Sequence, residues 1–426
     1  MTEAQVAVLA AKGIGPNGNK VIPEEVIKTV LDEIFSGRCE ETLSGVLLAA
    51  LRVLPMSLSE RNAFNEVIEN KQEVMSDECK YVLSIEQGDG VFELCNKLNE
   101  CLELSKKDCD DLVEYLCSED KPKLVKGYML QGLRLKRETL NENIAFLNAL
   151  KTKIDSVLYN GELLLDLAEP YDGHTRTPNL SLCLSMLLAE MGYANVLHGQ
   201  KDLGPKFGET VFSYFPEETQ FTSLLAIECI EQTGVGIIET DKVCSELISL
   251  RDIRNAMRKR SILATVDKLL APVRCAKRRI QVVGYVHSAY QTTLSDMMLD
   301  LQQEAIIIKG IEGGVMIDPM KATPVVYVKG DKKVVHEYKN KEWKNSQTVS
   351  KEVDLFSLLR GEHSLINDIA YTAVVLKSIL VSNIDFDFEM KEALSLFQNG
   401  ALEKRFNHFL DILNSFNNSG NYEINL

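Results

Sequence analysis

Residues 180–197 read LSLCLSMLLAEMGYANVL. A helical stretch over 180–191 gives way within two residues to a β-rich run at 194–197. The alternation recurs at once. A second helical stretch at 224–231 is followed by an apolar run at 235–238, and further runs occupy 280–286, 305–308 and 324–328. Strands alternating with helices predict an α/β domain with a mostly parallel sheet. That domain is expected over 156–426. The polar, lysine-rich stretch 331–351 is expected as a hairpin and exposed loop. Helices are expected to resume at 365–380 and 389–413, and the Asn-rich end, 414–426, to fray.

The first 150 residues have another texture. Apolar residues recur at spacings of three and four, as in Val26, Val30, Leu31 and Ile34, then Leu43, Val46, Leu47 and Ala50. A helix is expected to begin near Pro23. Sliding the chain by 82 residues lays 31–64 on 113–146 without a gap, and nine of 34 positions are identical. Gly45/Gly127, Leu51/Leu133, Arg52/Arg134, Glu60/Glu142 and Phe64/Phe146 are among them. Shared helical periodicity alone produces some matches, but a gapless run that includes a glycine favours duplication. Two helical units, 1–75 and 76–155, are expected to precede the α/β domain.

Composition excludes several classes. The chain has 426 residues, 45% hydrophobic and 26% charged, which is a globular composition for two or three domains. No window nears eighteen uninterrupted apolar residues, so no membrane span is expected. Residues 1–13 lack a basic n-region and do not read as a targeting segment. A cytoplasmic location is expected. Ten cysteines without a CxxC pair, and six histidines without HExxH or HxxxH, read as reduced, packed thiols and not as a zinc site.

Several segments, in order along the chain, resemble the anthranilate phosphoribosyltransferase family, and most closely its divergent YbiB-type paralogues. Residues 127–139 (GYMLQGLRLKRET) resemble the family's "ALRvKGET" helical signature, and 13–18 (GIGPNG) resemble the leader of the YbiB-type branch. The family's phosphate loop, D-I-V-G-T-G-G-D-G-x-x-T-x-N-I-S-T, falls on 166–182, DLAEPYDGHTRTPNLSL. Thr177, Asn179 and Ser181 are kept there. K-H-G-N-R falls on Leu197, His198, Gly199, Gln200 and Lys201. The R-x-x-L-G-x-R motif and its continuation fall on 254–272, keeping Arg254, Arg260, Leu269 and Pro272, with Ala264, Asp267 and Lys268 at the Asn, Gly and Pro positions. V-H-G-x-D-G-L-D-E falls on 308–316, with Val315 and Met316 at the Asp-Glu pair. Residues 392–403 resemble the start of the family's last helix.

The resemblance implies a small helical domain, used for dimerisation in the family, joined to an α/β domain of phosphoribosyltransferase type. It implies displacement of pyrophosphate from a phosphoribosyl donor by an amine, helped by a glycine-rich loop, a lysine and a carboxylate-held Mg²⁺. Each part is altered here. Glu169, Pro170, Tyr171 and Asp172 replace the glycine run, Leu197 replaces the lysine, and Val315 and Met316 replace the metal pair. The expectation is loss of the parent activity, with no catalytic residue, no cofactor and no metal assigned. Mg²⁺ enters only if pentosyltransferase activity is retained, with Glu312 and Asp318 as the remaining acids. Thr177, Asn179, Ser181, His198, Gly199 and Arg254 are the candidate phosphate or ligand contacts. The plainer reading is that Asn179 and Ser181 cap the following helix.

The net charge of −15 is unevenly spread. Residues 251–279 carry +8 and 321–351 carry +5, while 60–121 carry −10. A basic run is ordinarily a solvated face. This one overlaps a motif that faces substrate in the family, and the YbiB-type relatives are associated with nucleic-acid binding. The candidate polyanion contacts are Arg254, Arg258, Lys259, Arg260, Arg274, Lys277, Arg278 and Arg279. No aromatic residue lies within 251–279, so phosphate contact and not base stacking is expected. The expected partners are a second copy of the chain, docked through apolar helix faces, and single-stranded nucleic acid or a phosphorylated small molecule. A pentosyltransferase with an altered nucleophile and a regulatory or structural subunit are the alternatives.

Overall fold

Helices Glu24–Phe35, Glu41–Arg52 and Leu58–Lys71 are followed, each 82 residues later, by Lys106–Cys117, Lys123–Lys136 and Leu140–Lys151. The computed structural model describes residues 1–13, 18–85, 90–318, 323–338 and 353–418. The offset extends to the caps. Ser57 and Thr139 close capping boxes with Glu60 and Glu142. Glu60 then accepts from the Ile22 N–H at 2.9 Å, and Glu142 accepts from Leu104 at 2.7 Å. Each buried carboxylate also has its own cation, Lys12 at 2.8 Å and Lys136 at 2.6 Å. Burial opposes charge on Glu60, but Lys12 and the N–H groups of Ser57 and Ile22 outweigh it and hold the carboxyl at about 2.

The two repeats meet where Glu41–Arg52 packs on Lys123–Lys136. A Cβ on Gly45 would stand 1.8 Å from the Leu124 carbonyl oxygen, and one on Gly127 would stand 2.5 Å from that of Thr42. Thr42 and Leu124 are themselves 82 apart, so the contact is made twice by the same surface.

By contacts the chain forms two units, Met1–Lys153 with Glu246–Val266, and Ile154–Ser245 with Asp267–Leu426. The sequence division at 155/156 therefore misses one segment. Helix Glu246–Met257 buries Leu247, Leu250, Ile253 and Met257 and packs on Glu41–Arg52, Lys106–Cys117 and Lys123–Lys136. Helix Leu263–Val266 packs on Leu140–Lys151. Linear texture does not reveal that an apolar helix face is matched on helices more than 100 residues earlier.

The second unit is built on a seven-stranded sheet in the order β4-β3-β2-β6-β7-β8-β9. Its strands are β2 (Leu163–Ala168), β3 (Asn195–Gly199), β4 (Val235–Glu239), β6 (Arg278–Tyr285), β7 (Ala305–Lys309), β8 (Thr323–Lys329) and β9 (Lys332–Tyr338). β1 (Val157–Tyr159) and β5 (Val273–Cys275) form a separate parallel pair. The five strands from β4 to β7 are parallel, and β8 and β9 add antiparallel to one side. β2, β3 and the edge strand β4 are buried along nearly their whole length, which explains their largely apolar runs. Helices Ser181–Glu190, Ile366–Leu380, Phe386–Gln398 and Ala401–Asn418 contribute to the main core beside the sheet.

The hairpin expected within 331–351 is corrected: that stretch supplies only β9, which pairs antiparallel with the preceding strand β8; residues 339–352 lie outside the described residues, as do 14–17 of the leader. The expected fray at 414 is corrected: the last helix runs to Asn418. Residues 419–426 lie outside the description. All ten thiols are unbridged and seven are buried. Burial pushes Cys95 up to about 12 and Cys117 to about 11. No described helix is long and apolar enough to cross a membrane, and no group of three metal-ligating side chains occurs among the described residues.

The helix contact gives a stability prediction. G45A and G127A should each destabilise the helical unit by about 1–3 kcal/mol or more, because backbone would have to move. G132A, whose added methyl would meet side chains and not backbone, Leu98 at 3.3 Å and Val53 at 3.7 Å, should cost less. Urea denaturation followed by circular dichroism measures the difference.

Candidate functional site

Ligands of open parallel sheets bind outside the carboxyl ends of the strands. Here those ends deliver three segments: the 169–180 loop after β2, the last two residues of β3, and the 310–317 loop after β7.

β2 and β3 carry a buried polar pair. His198 Nε2 stands 2.9 Å from Asp166 Oδ1, with both side chains at most 1% exposed. Gln281 Nε2, on β6, donates to Asp166 Oδ2 at 3.3 Å. Burial works against charge on Asp166, and His198 with Arg279 more than compensates, leaving its carboxyl below the ordinary value. The ring of His198 is thus committed inward. Gly199 is needed for packing: a Cβ would lie 2.9 Å from that of Glu169.

Glu169, where the resembled loop has glycine, is buried and accepts from Asn179 Nδ2 at 2.6 Å. Burial raises its pKa. Asn179 Oδ1 in turn accepts from the Ser181 N–H at 2.9 Å and the Ser181 hydroxyl at 2.6 Å. The Tyr214 hydroxyl donates to the Asn179 carbonyl. Asn179 Oδ1 thus meets the first N–H of helix Ser181–Glu190, but the capping reading is corrected: Leu180 holds the cap position and no side-chain cap bond is made there. Tyr171, Leu197, Val315 and Met316 are all buried.

The densest polar contact is one that sequence reasoning did not find. Glu312, from the loop after β7, inserts its carboxylate into the 174–177 turn. Oε1 accepts from the N–H groups of Thr175, Arg176 and Thr177 at 3.1, 2.7 and 3.0 Å and from the Thr177 hydroxyl at 3.1 Å. Oε2 accepts from the Thr175 N–H at 3.2 Å, the Thr175 hydroxyl at 3.3 Å and Lys206 Nζ at 3.1 Å. The Glu312 side chain is only 2% exposed. Burial disfavours its charge, but the N–H groups and Lys206 hold its pKa far below the ordinary value. Glu312 sits at φ +49°, a left-handed conformation costing a non-glycine residue about 1–2 kcal/mol. The signals available were the paired threonines and a glutamate flanked by glycines. Nothing in linear sequence joins them across 135 residues.

The candidate contacts divide as follows. Thr177 faces Glu312, Asn179 and Ser181 face each other, and His198 and Gly199 are packed beneath. All five lie in the α/β unit. Arg254 lies on helix Glu246–Met257 of the helical unit and is 3% exposed. Of the remaining basic candidates, Arg258 and Arg260 are exposed and Lys259 is half-buried in the helical unit. Burial, and then Arg134, push the Lys259 pKa down. In the α/β unit, Arg274 and Lys277 are exposed, and Lys277 pairs with Glu162. Arg278 is bidentate on Glu304 at 2.5 and 3.0 Å, and Arg279 bonds Gln303 at 2.8 Å. Arg258 and Arg274 have no hydrogen-bond or ion-pair partner among the described residues.

The motif's metal pair does not fit a divalent cation: the Val315 and Met316 side chains offer no oxygen and lie in the core, and both Glu312 oxygens already accept from N–H and hydroxyl donors.

His174 gives a pH prediction. It is buried beside Thr177, at 3.2 Å from Nδ1 to the hydroxyl. Burial lowers its pKa to about 4; Glu312 pulls the other way, and Lys206 and Lys268 add to the lowering. A depressed histidine refuses a proton that the unfolded chain accepts, so stability is lost as the pH falls from about 6.5 towards 4, by about 2–3 kcal/mol. H174N should flatten that part of the stability–pH curve in urea denaturation. An unchanged slope would count against the assignment.

No protein-family model matches the chain. Among curated proteins it is 22% identical over 244 residues to the anthranilate phosphoribosyltransferase of Acetivibrio thermocellus, covering 57% of this chain and 70% of that one. It is 24% identical over 186 residues to the enzyme of the same name from Desulforudis audaxviator, covering 43% and 53%. It is 27% identical over 206 residues to an uncharacterised protein of Aquifex aeolicus, covering 48% and 61%. The matches thus span roughly half to two-thirds of these relatives' length. Among solved structures, anthranilate phosphoribosyltransferase from Saccharomyces cerevisiae in complex with PRPP and Mg aligns with a TM-score of 0.60 at 16% identity, over 76% of this chain and 98% of that one. The Thermus thermophilus enzyme aligns at 0.57 and 15%, over 75% and 98%. The chain thus shares the fold of the anthranilate phosphoribosyltransferases and is similar to them in sequence at low identity.

Proposed function

We propose that this chain is a polyanion-binding protein on the anthranilate phosphoribosyltransferase fold, without turnover of the parent reaction. One observation carries the reading: the chain's own carboxylate, Glu312, fills the N–H-lined turn after β2. In the resembled enzymes the same stretch is the phosphate loop. A donor diphosphate would meet negative charge there, and Glu169 adds a second buried carboxyl group nearby on the same loop. The family's lysine and metal pair are replaced by Leu197, Val315 and Met316, all packed in the core. An oxyanion donor is worth about 3–4 kcal/mol on such a barrier, so losing several costs many orders of magnitude.

The binding half of the reading rests on the exposed cations. Arg278 is bidentate on Glu304 and serves the fold, and Arg254 is buried. Arg258 and Arg274 face solvent and have no protein partner among the described residues. Lys277 is held only by an exposed pair with Glu162, a contact of little energetic weight that phosphate can exchange. Within each unit, exposed cations of this kind support contact with a nucleic-acid backbone without reading of its sequence.

Two measurements test this. With anthranilate, phosphoribosyl donor and Mg²⁺, no turnover is expected; a rate near one per second would overturn the first half. In filter binding to single-stranded oligonucleotide across a salt series, the affinity should fall as salt rises. R258A and R274A should each weaken binding and lower the log–log salt slope by about 0.7, the value per phosphate for single strands. Binding absent at low salt, or independent of salt, would overturn the second half.

A further inference from the structure

The turn that holds Glu312 has more donors than a carboxylate can use. Six groups converge on it: the N–H groups of Thr175, Arg176 and Thr177, the hydroxyls of Thr175 and Thr177, and Lys206 Nζ. A carboxylate offers about four lone-pair positions. Here Oε1 alone takes four of the contacts, and those to Thr175 are shared between the two oxygens at 3.1 and 3.2 Å. Three successive N–H groups aimed at one point form a concave anion site. A tetrahedral oxyanion, with three or four terminal oxygens, matches six donors better than a planar carboxylate does.

Other features point the same way. Lys206 does not depend on Glu312 for its place, because its ammonium also donates to the Gly173 carbonyl at 2.6 Å and stands 3.7 Å from Asp172. The Arg176 side chain is 75% exposed, with Nε 3.7 Å from Glu312 Oε2, so a cation stands in solvent beside the buried carboxylate. Glu312 is held in a left-handed conformation next to Gly313 at φ +88°, a backbone that relaxes when the residue leaves.

We propose that Glu312 is a built-in competitor: it occupies an intact oxyanion site, and a phosphorylated ligand binds there only by expelling it. This rests on the reading of the site as filled from within, and it is independent of the exposed cations. The site is closed by default and opens only to an anion that engages the donors better than Glu312, which is already tethered beside them. No bond is made or broken; one anion replaces another.

Inorganic pyrophosphate and phosphate are the probes, read by calorimetry and by thermal shift. The wild type should show little binding at millimolar concentration. E312A should bind pyrophosphate at least tenfold more tightly than the wild type and gain melting temperature from it. E312A/K206A should lose most of that gain. E312Q, which keeps the size but brings an NH₂ against the donors, should fall between. If E312A folds poorly alone, rescue by pyrophosphate supports the proposal. Amide exchange at 175–177 should accelerate in E312A and slow again with pyrophosphate. The proposal is overturned if neither E312A nor E312Q gains from either anion, or if the wild type binds as tightly as E312A. Turnover by the wild type would instead overturn the filled-site reading.

Discussion

A carboxylate removed from water stays charged only if donors surround it. Glu312 meets that condition, and the loops around it depend on the contact. Its bonds fix the 174–177 turn to the loop after β7. Lys268 adds a second tie, donating to the Gly284 and Gly313 carbonyls at 2.7 and 2.6 Å. The turn then positions Thr177, whose neighbours Asn179 and Ser181 begin the next helix. Without the carboxylate, three N–H groups and an ammonium would face each other with no anion between them. The sheet supplies the frame and Glu312 sets the conformation of its carboxyl end.

The fold was largely legible in linear sequence, and particular residues show why. The runs 235–238, 280–286, 305–308 and 324–328 are strands within a residue or two of their expected ends. The run 324–328 is the antiparallel β8; the first three are buried parallel strands, which must be apolar nearly throughout and so announce themselves. β2 did not, because Asp166 interrupts its leucines. That interruption is tolerated only because His198 and Gln281 meet it from neighbouring strands. The helical signals were equally clear, since spacing of three and four is local. The placement of 246–266 was not, because a helix face does not name the surface it covers.

The candidate site was legible in part. Thr177, Asn179 and Ser181 lie between β2 and the start of the next helix, bonded to Glu312 and to one another. The polar character of Asn179 and Ser181, however, serves their contact with each other, and His198 serves Asp166. Glu312 reads in sequence only as an acid at the motif's own Asp position and as a candidate Mg²⁺ ligand. Its role depends on a turn far away in sequence, and on a backbone conformation that residue type does not encode. The basic run likewise sorted only in three dimensions. Of neighbours in one stretch, Arg278 is clamped by Glu304 while Arg274 is open to solvent. Charge counting treats the two alike.

The paired close approach of Gly45 and Gly127 has a consequence for the architecture of the helical unit. Each repeat offers the same patch to the other, as the subunits of a twofold dimer do, so the contact is isologous although it lies within one chain. Covalent linkage frees such an arrangement from the symmetry that identical subunits impose. Substitutions outside the shared patch need suit only one copy. Lys12 and Lys136 answer equivalent carboxylates from unrelated positions, and the helix after β4 packs on parts of both repeats without a counterpart of its own. A glycine pair conserves the join while everything around it is free to become asymmetric.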